Sequence, residues 1–118
     1  MVAERVEHVL RPDELRRDLS LSRERMARLI DVSAKTVERW EQQQGLPAGA
    51  SSRVREQLAQ IKEIRDLGLI VYTPEGFQLF LKTPLPTFAG RTALQMIEQG
   101  HAEAVLAALA SDYEGLGY

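Results

Sequence analysis

The stretch LSRERMARLIDVSAKTVERWEQ, residues 21–42, decides the fold of this chain. Ser22 is a helix cap, and Met26, Ala27 and Ile30 follow as an apolar i, i+1, i+4 set. Asp31-Val32-Ser33 breaks the pattern. Ser33 then caps a second helix, in which Val37 and Trp40 share one face. Ala27 is small enough for two helices to cross closely. Asp31, four residues on, falls in the turn, where the backbone often needs a left-handed residue. Glycine is usual there, and aspartate tolerates it better than most. Val32 is expected to plug the underside of the turn and Trp40 to be a buried anchor. Ala34, Lys35, Thr36 and Arg39 are left pointing outward.

Outward from this stretch the chain continues as short helices. Before it, Pro12 with Asp13 and Glu14 opens a helix bearing Leu15 and Leu19. After it, Gly45 and Pro47 punctuate, with Gly45 expected at the left-handed stop. Ser51 or Ser52 then caps a long helix with one apolar stripe: Val54, Leu58, Ile61, Ile64 and Leu67. Gly68 is read as its end, and Leu69-Ile70-Val71-Tyr72 as a linker packed on the core. Thr73-Pro74-Glu75 starts a helix with Phe77, Phe80 and Leu81 inward. Thr92 caps a short one with Leu94, Met96 and Ile97. A last helix from about His101 to Tyr113 turns Val105, Leu106 and Leu109 inward. The expectation is an all-α chain of about seven helices in two domains: 1–66, a helix-turn-helix bundle with a long connecting helix, and 67–118, a smaller helical domain with a tail.

Composition excludes several classes. The 118 residues carry a net charge of −2 and no cysteine, so a disulfide framework, a thiolate metal site and a cysteine nucleophile are out. Two histidines, His8 and His101, are too few and too far apart for a histidine metal site. No apolar run approaches the roughly 20 residues of a membrane span. The first ten residues lack the apolar segment of a signal peptide. A soluble, cytoplasmic chain is expected. There is no nucleophile paired with a base, no carboxylate pair in an apolar setting and no glycine-rich phosphate loop. Neither an enzyme nor a cofactor is therefore expected. Charge is uneven: residues 1–66 hold thirteen Lys/Arg against twelve Asp/Glu, and residues 67–118 hold two against five.

In helix-turn-helix geometry, outward residues of the second helix enter the major groove. Lys35 and Arg39 can reach guanine edges or phosphates, and Thr36 a base or a thymine methyl. Ser33, Ala34, Lys35, Thr36 and Arg39 are the DNA-binding candidates. Glu38 and Glu41 flank Arg39 and are expected to repel phosphate, so a homodimer reading two half-sites is expected. The same layout also suits a three-helix packing unit that touches no DNA. Residues 21–42 resemble the Xre/Cro-type helix-turn-helix, in the small Ala27, the turn and the Ser33-x-x-Thr36-Val37-x-x-Trp40-Glu41 run. The departure is Asp31 in place of glycine.

The stretch LFLKTPLPTFAGRTALQMIEQGHAEAVLAALASDYEGLGY, residues 79–118, resembles the C-terminal domain of the Xre/MbcA/ParS antitoxin family. Pro84 and Pro86, Gly90-Arg91-Thr92, Gly100, Val105 with Leu109, and Glu114-Gly115 carry the likeness. Ala93 stands where the family often has proline. The resemblance implies an antitoxin of a type II toxin–antitoxin system. It would bind and block a RES-type toxin that consumes NAD or uses it for ADP-ribosylation, and would repress its own operon. Its partners would be the cognate toxin, in a hetero-oligomer, and operator DNA. The toxin-facing residues would be Arg91, Asp112, Tyr113, Glu114, Gly115, Leu116, Gly117 and Tyr118. Gly115 and Gly117 would allow unusual backbone angles, Leu116 and Tyr118 would fill a partly apolar pocket, and the acidic groups would mimic an anionic ligand. Arg91 could instead pair with Glu98 or Asp112. The alternative is a stand-alone Xre-family dimeric repressor.

Overall fold

A computed structural model describes residues 10–115. Among them are seven α-helices, one short 3-10 helix and no strand. The chain divides into two compact units, Met1–Lys62 and Glu63–Tyr118. Leu116, Gly117 and Tyr118 of the expected tail lie outside the described residues.

In the first unit, α1 is Pro12–Asp18, α2 Arg23–Ile30 and α3 Ala34–Gln42. Each begins for a local reason. Proline at the first position of α1 gives up no hydrogen bond. The Ser22 and Ser33 hydroxyl oxygens accept from the backbone N–H of Arg25 and Thr36, satisfying donors that the first turn leaves open. Each ends on a non-glycine residue in the left-handed region: Ser20 (φ 54°), Asp31 (φ 55°) and Gln44 (φ 61°). Gln44 therefore takes the position expected of Gly45. The Gly45 N–H donates to the Trp40 carbonyl and the Gln44 N–H to that of Glu41, the paired bonds of a Schellman stop. Leu15, Leu19, Met26, Ile30, Val37 and Leu58 are at most 1% exposed, with Trp40 at 4%. Each large apolar side chain so buried contributes about 1.5–3 kcal/mol. Val32 is only half-buried, so the turn is covered less completely than its plug role required.

Helix α4, Ser52–Val71, starts in the first unit and ends in the second. The Ser51 hydroxyl caps it by accepting from the Val54 N–H. Gly68 does not end it. The helix continues to Val71, so Leu69, Ile70 and Val71 are helical rather than a packed linker, and Ile70 is 64% exposed. Glycine stands at 68 because of a close approach. A Cβ there would lie 2.3 Å from Cε1 of Phe77, which is fully buried.

The second unit continues with α5 (Pro74–Lys82), a 3-10 turn (Pro86–Phe88), α6 (Ala93–Glu98) and α7 (Ala102–Gly115). The Thr73 hydroxyl caps α5. Thr92 and Gln95 form a reciprocal capping box at α6. Phe77, Leu81, Ala93, Leu94, Val105 and Leu109 are at most 2% exposed, whereas Leu106 is half-buried. Helix α7 runs through Gly115, which is therefore helical and not a point of unusual backbone.

Candidate functional site

In the first unit, α2, the three-residue turn and α3 form the helix–turn–helix layout. Arg53, on the first turn of α4, donates to the carbonyls of Ile30 (3.1 Å) and Asp31 (3.4 Å). This satisfies acceptors at the C-terminal end of α2 and places a cation where the helix dipole favours one. Along the start of α3, Lys35 and Arg39 are exposed, and Ala34 and Thr36 are half-exposed. The Thr36 hydroxyl lies 2.8 Å from that of Ser33, so the cap and the candidate base-reading hydroxyl belong to one hydrogen-bonded pair. Arg23, Glu24, Ala34, Lys35 and Glu38 line a depression of about 240 Å3 beside them.

Glu41 does not act as expected. Its carboxylate accepts from Arg16 (Nε 2.5 Å, Nη2 3.0 Å) and from Arg23 (Nε 2.9 Å), and its side chain is 8% exposed. Burial pushes the Glu41 carboxyl upward. The hydrogen bonds from Arg16 and Arg23, with their charges, outweigh it and hold the group below the usual carboxylate value. Arg16 is raised chiefly by the same bond. Glu41 thus ties α1, α2 and α3 together, and two cations offset its charge, so it does not stand as a free repulsive charge beside Arg39. Arg16 and Glu41 are 25 residues apart, and no local spacing signals the pair. Glu38 is half-exposed on the same helix.

The second unit holds a groove of about 470 Å3 between α5, the 3-10 turn and α7. Leu79, Phe80, Leu85 and Ala108 supply apolar surface, Thr83 and Thr87 hydroxyls, and Tyr72 and Asp112 a polar corner. Tyr72 stacks on Phe80 (centroids 5.6 Å, planes at 28°), and Phe80 meets Phe88 edge-on (6.4 Å, 75°). The Tyr72 hydroxyl donates to Asp112 Oδ2 at 2.5 Å. Burial, then the Asp112 hydrogen bond and charge, push the Tyr72 hydroxyl up to about 12.

The expected toxin-facing residues fall in different settings. Asp112 lines the groove, Tyr113 is half-buried, and Glu114 and Gly115 are exposed. Arg91 is a local brace. It donates to the Phe88 carbonyl (3.1 Å) and to the Gln99 side chain, while Asp112 is engaged by Tyr72. The groove itself was not anticipated from sequence. Its one available signal was Leu79, which lies off the Phe77–Phe80–Leu81 face of α5. Among the described residues no group of three or more His, Asp or Glu is placed to hold a metal ion. No helix among them is long and apolar enough to cross a membrane.

No protein-family profile and no curated protein matches the chain. Its fold is similar to that of a solved chain from the crystal structure of the M. tuberculosis MbcT-MbcA toxin-antitoxin complex. The TM-score is 0.71 at 20% sequence identity, and the match covers 88% of this chain and 91% of that one.

Proposed function

We propose that this chain is the antitoxin of a toxin–antitoxin pair. On this reading, its second unit binds and blocks a toxin of the RES type, which consumes NAD or transfers ADP-ribose from it. Its first unit, as a homodimer in the cytoplasm, represses the shared operon. The observation that carries the reading is the fold likeness, spanning nearly the whole chain, to a chain of a toxin–antitoxin complex. Two features support reading this chain as the antitoxin of such a pair. Its first unit has a regulator's helix–turn–helix layout with Lys35 and Arg39 exposed on α3. Its second unit offers an apolar groove and an acidic helix end, which suit a protein partner more than a chemical step. The catalytic chemistry then belongs to the toxin.

Lys35 and Arg39 carry the DNA contact, with Ser33, Ala34 and Thr36 framing it. Asp112, Tyr113, Glu114, Gly115 and the tail residues Leu116, Gly117 and Tyr118 face the toxin, and Arg91 supports that surface from within. Co-expression with the product of the adjacent gene tests the pairing. The two proteins are expected to purify as one complex with the partner's activity silenced. Separate elution with the partner fully active overturns the reading.

A further inference from the structure

Leu79 stands out in the second unit. It is 69% exposed, while its helix neighbours Phe77, Phe80 and Leu81 are buried. A single exposed leucine means little. This one forms the rim of a concave apolar surface floored by Phe80, Leu85 and Ala108. The polar corner opposite is set by Tyr72, whose hydroxyl holds Asp112 in place. The groove's volume, about 470 Å3, lies in the range of ligand-sized clefts and is ample for an apolar side chain together with its neighbours.

We infer that this groove seats an apolar side chain of the toxin, with a lysine or arginine of the toxin beside it that pairs with Asp112. The inference rests on the antitoxin reading above and specifies where the partner docks. Charge selects the occupant. Asp112 is the one charged residue among the described residues lining the groove, and residues 67–118 hold two cations against five acids. A second copy docking through the same face would set Asp112 against Asp112 and one acidic surface against another. A cationic partner surface removes that repulsion and is drawn in faster at low salt.

The division of labour follows from exposure. The Asp112 pair forms at a solvated rim, where a pair contributes modestly to affinity and more to the association rate. The apolar anchor against Leu79 and Phe80 excludes water and carries most of the binding.

The test is calorimetric titration of the full chain with the purified product of the adjacent gene. Leu79→Lys is expected to weaken binding at least about tenfold, and Leu79→Met to stay within about threefold. Asp112→Lys is expected to cost about tenfold in affinity at low salt, and less at high salt. Glu103→Lys makes the same charge change nine residues earlier on α7, on the opposite side of the helix, and is expected to stay within about twofold. Leu79 and Glu103 are exposed, so their variants should keep the wild-type circular dichroism spectrum. If wild type binds and Leu79→Lys binds equally well, the groove assignment is wrong and the antitoxin reading stands. If wild type does not bind, both fail. If Leu79→Lys dissociates a dimer of this chain and leaves toxin affinity unchanged, the groove is a self-interface and the inference is overturned.

Discussion

Replacing Gly68 by alanine should destabilise the protein, although the substitution adds a better helix former. Gly68 is helical, so alanine removes a propensity penalty of about 1 kcal/mol. Against this stands the ring of Phe77. The new methyl would lie 2.3 Å from Cε1, 2.5 Å from Cδ1 and 2.9 Å from Cζ. Those distances are far inside carbon–carbon contact, and the rigid, fully buried ring has no room to swing away. Overpacking of this severity belongs at the upper end of the 1–3 kcal/mol range, or about 3 kcal/mol. The net loss is then about 2 kcal/mol. Gly115→Ala is the internal control: it is also helical, and its added Cβ meets nothing within 4 Å. It should gain a few tenths of a kcal/mol. The assay is urea unfolding followed by far-UV circular dichroism, comparing midpoints at constant m-value. A Gly68→Ala midpoint equal to or above wild type would refute the close-packing argument. Because α5 carries both Phe77 and the groove residues Leu79 and Phe80, the same variant should also weaken partner binding.

Glu41→Gln leaves the Arg16 and Arg23 guanidiniums without their anion. It should cost about 1–2 kcal/mol, at the lower end for a broken ion pair because both arginines are partly exposed. Glu41 and Asp13 have lowered folded-state values, so the stability they contribute is full above the ordinary carboxylate range near pH 4 and is lost as the pH falls from that range through the lowered folded-state values. The wild-type loss between pH 5 and pH 3, read from urea midpoints, should therefore shrink in Glu41→Gln. Tyr72, raised to about 12, contributes stability that is intact below pH 10 and lost as the pH climbs from 10 to 12. Phenolate absorbance should contain a component titrating near pH 12 that Tyr72→Phe removes and Asp112→Asn moves only partway down, since burial is the larger cause. Lys35→Ala and Arg39→Ala should each lower operator affinity, with a salt slope about one smaller for any lost phosphate contact. Partner binding should be unchanged, and unaltered gel shifts in both variants would remove α3 from the DNA interface.

Helix starts were legible in the sequence because each is local. Ser22, Ser33, Thr73 and Thr92 cap helices through bonds spanning three residues. The left-handed turn at Asp31 was legible for the same reason. Helix ends were less so. Gly45 and Gly68 were read as stops by residue type. The backbone instead reverses at Gln44, and Gly68 serves a contact with Phe77, nine residues away. Side-chain partners at long range were not legible. Nothing near Glu41 announces Arg16, nothing near Tyr72 announces Asp112 forty residues on, and Arg91 found Phe88 and Gln99 rather than an acid. The groove is a product of such long-range meetings, so its residues could be named only from the folded chain.

The most direct test of the antitoxin account is growth, measured with cellular NAD, on induction of the adjacent gene in three backgrounds: no antitoxin, the full chain, and the chain lacking residues 114–118. The account predicts arrest with NAD loss in the first, rescue by the full chain, and failed rescue by the truncated chain at equal helical content. An adjacent gene whose product leaves growth and NAD untouched, or full protection by the truncated chain, would contradict it.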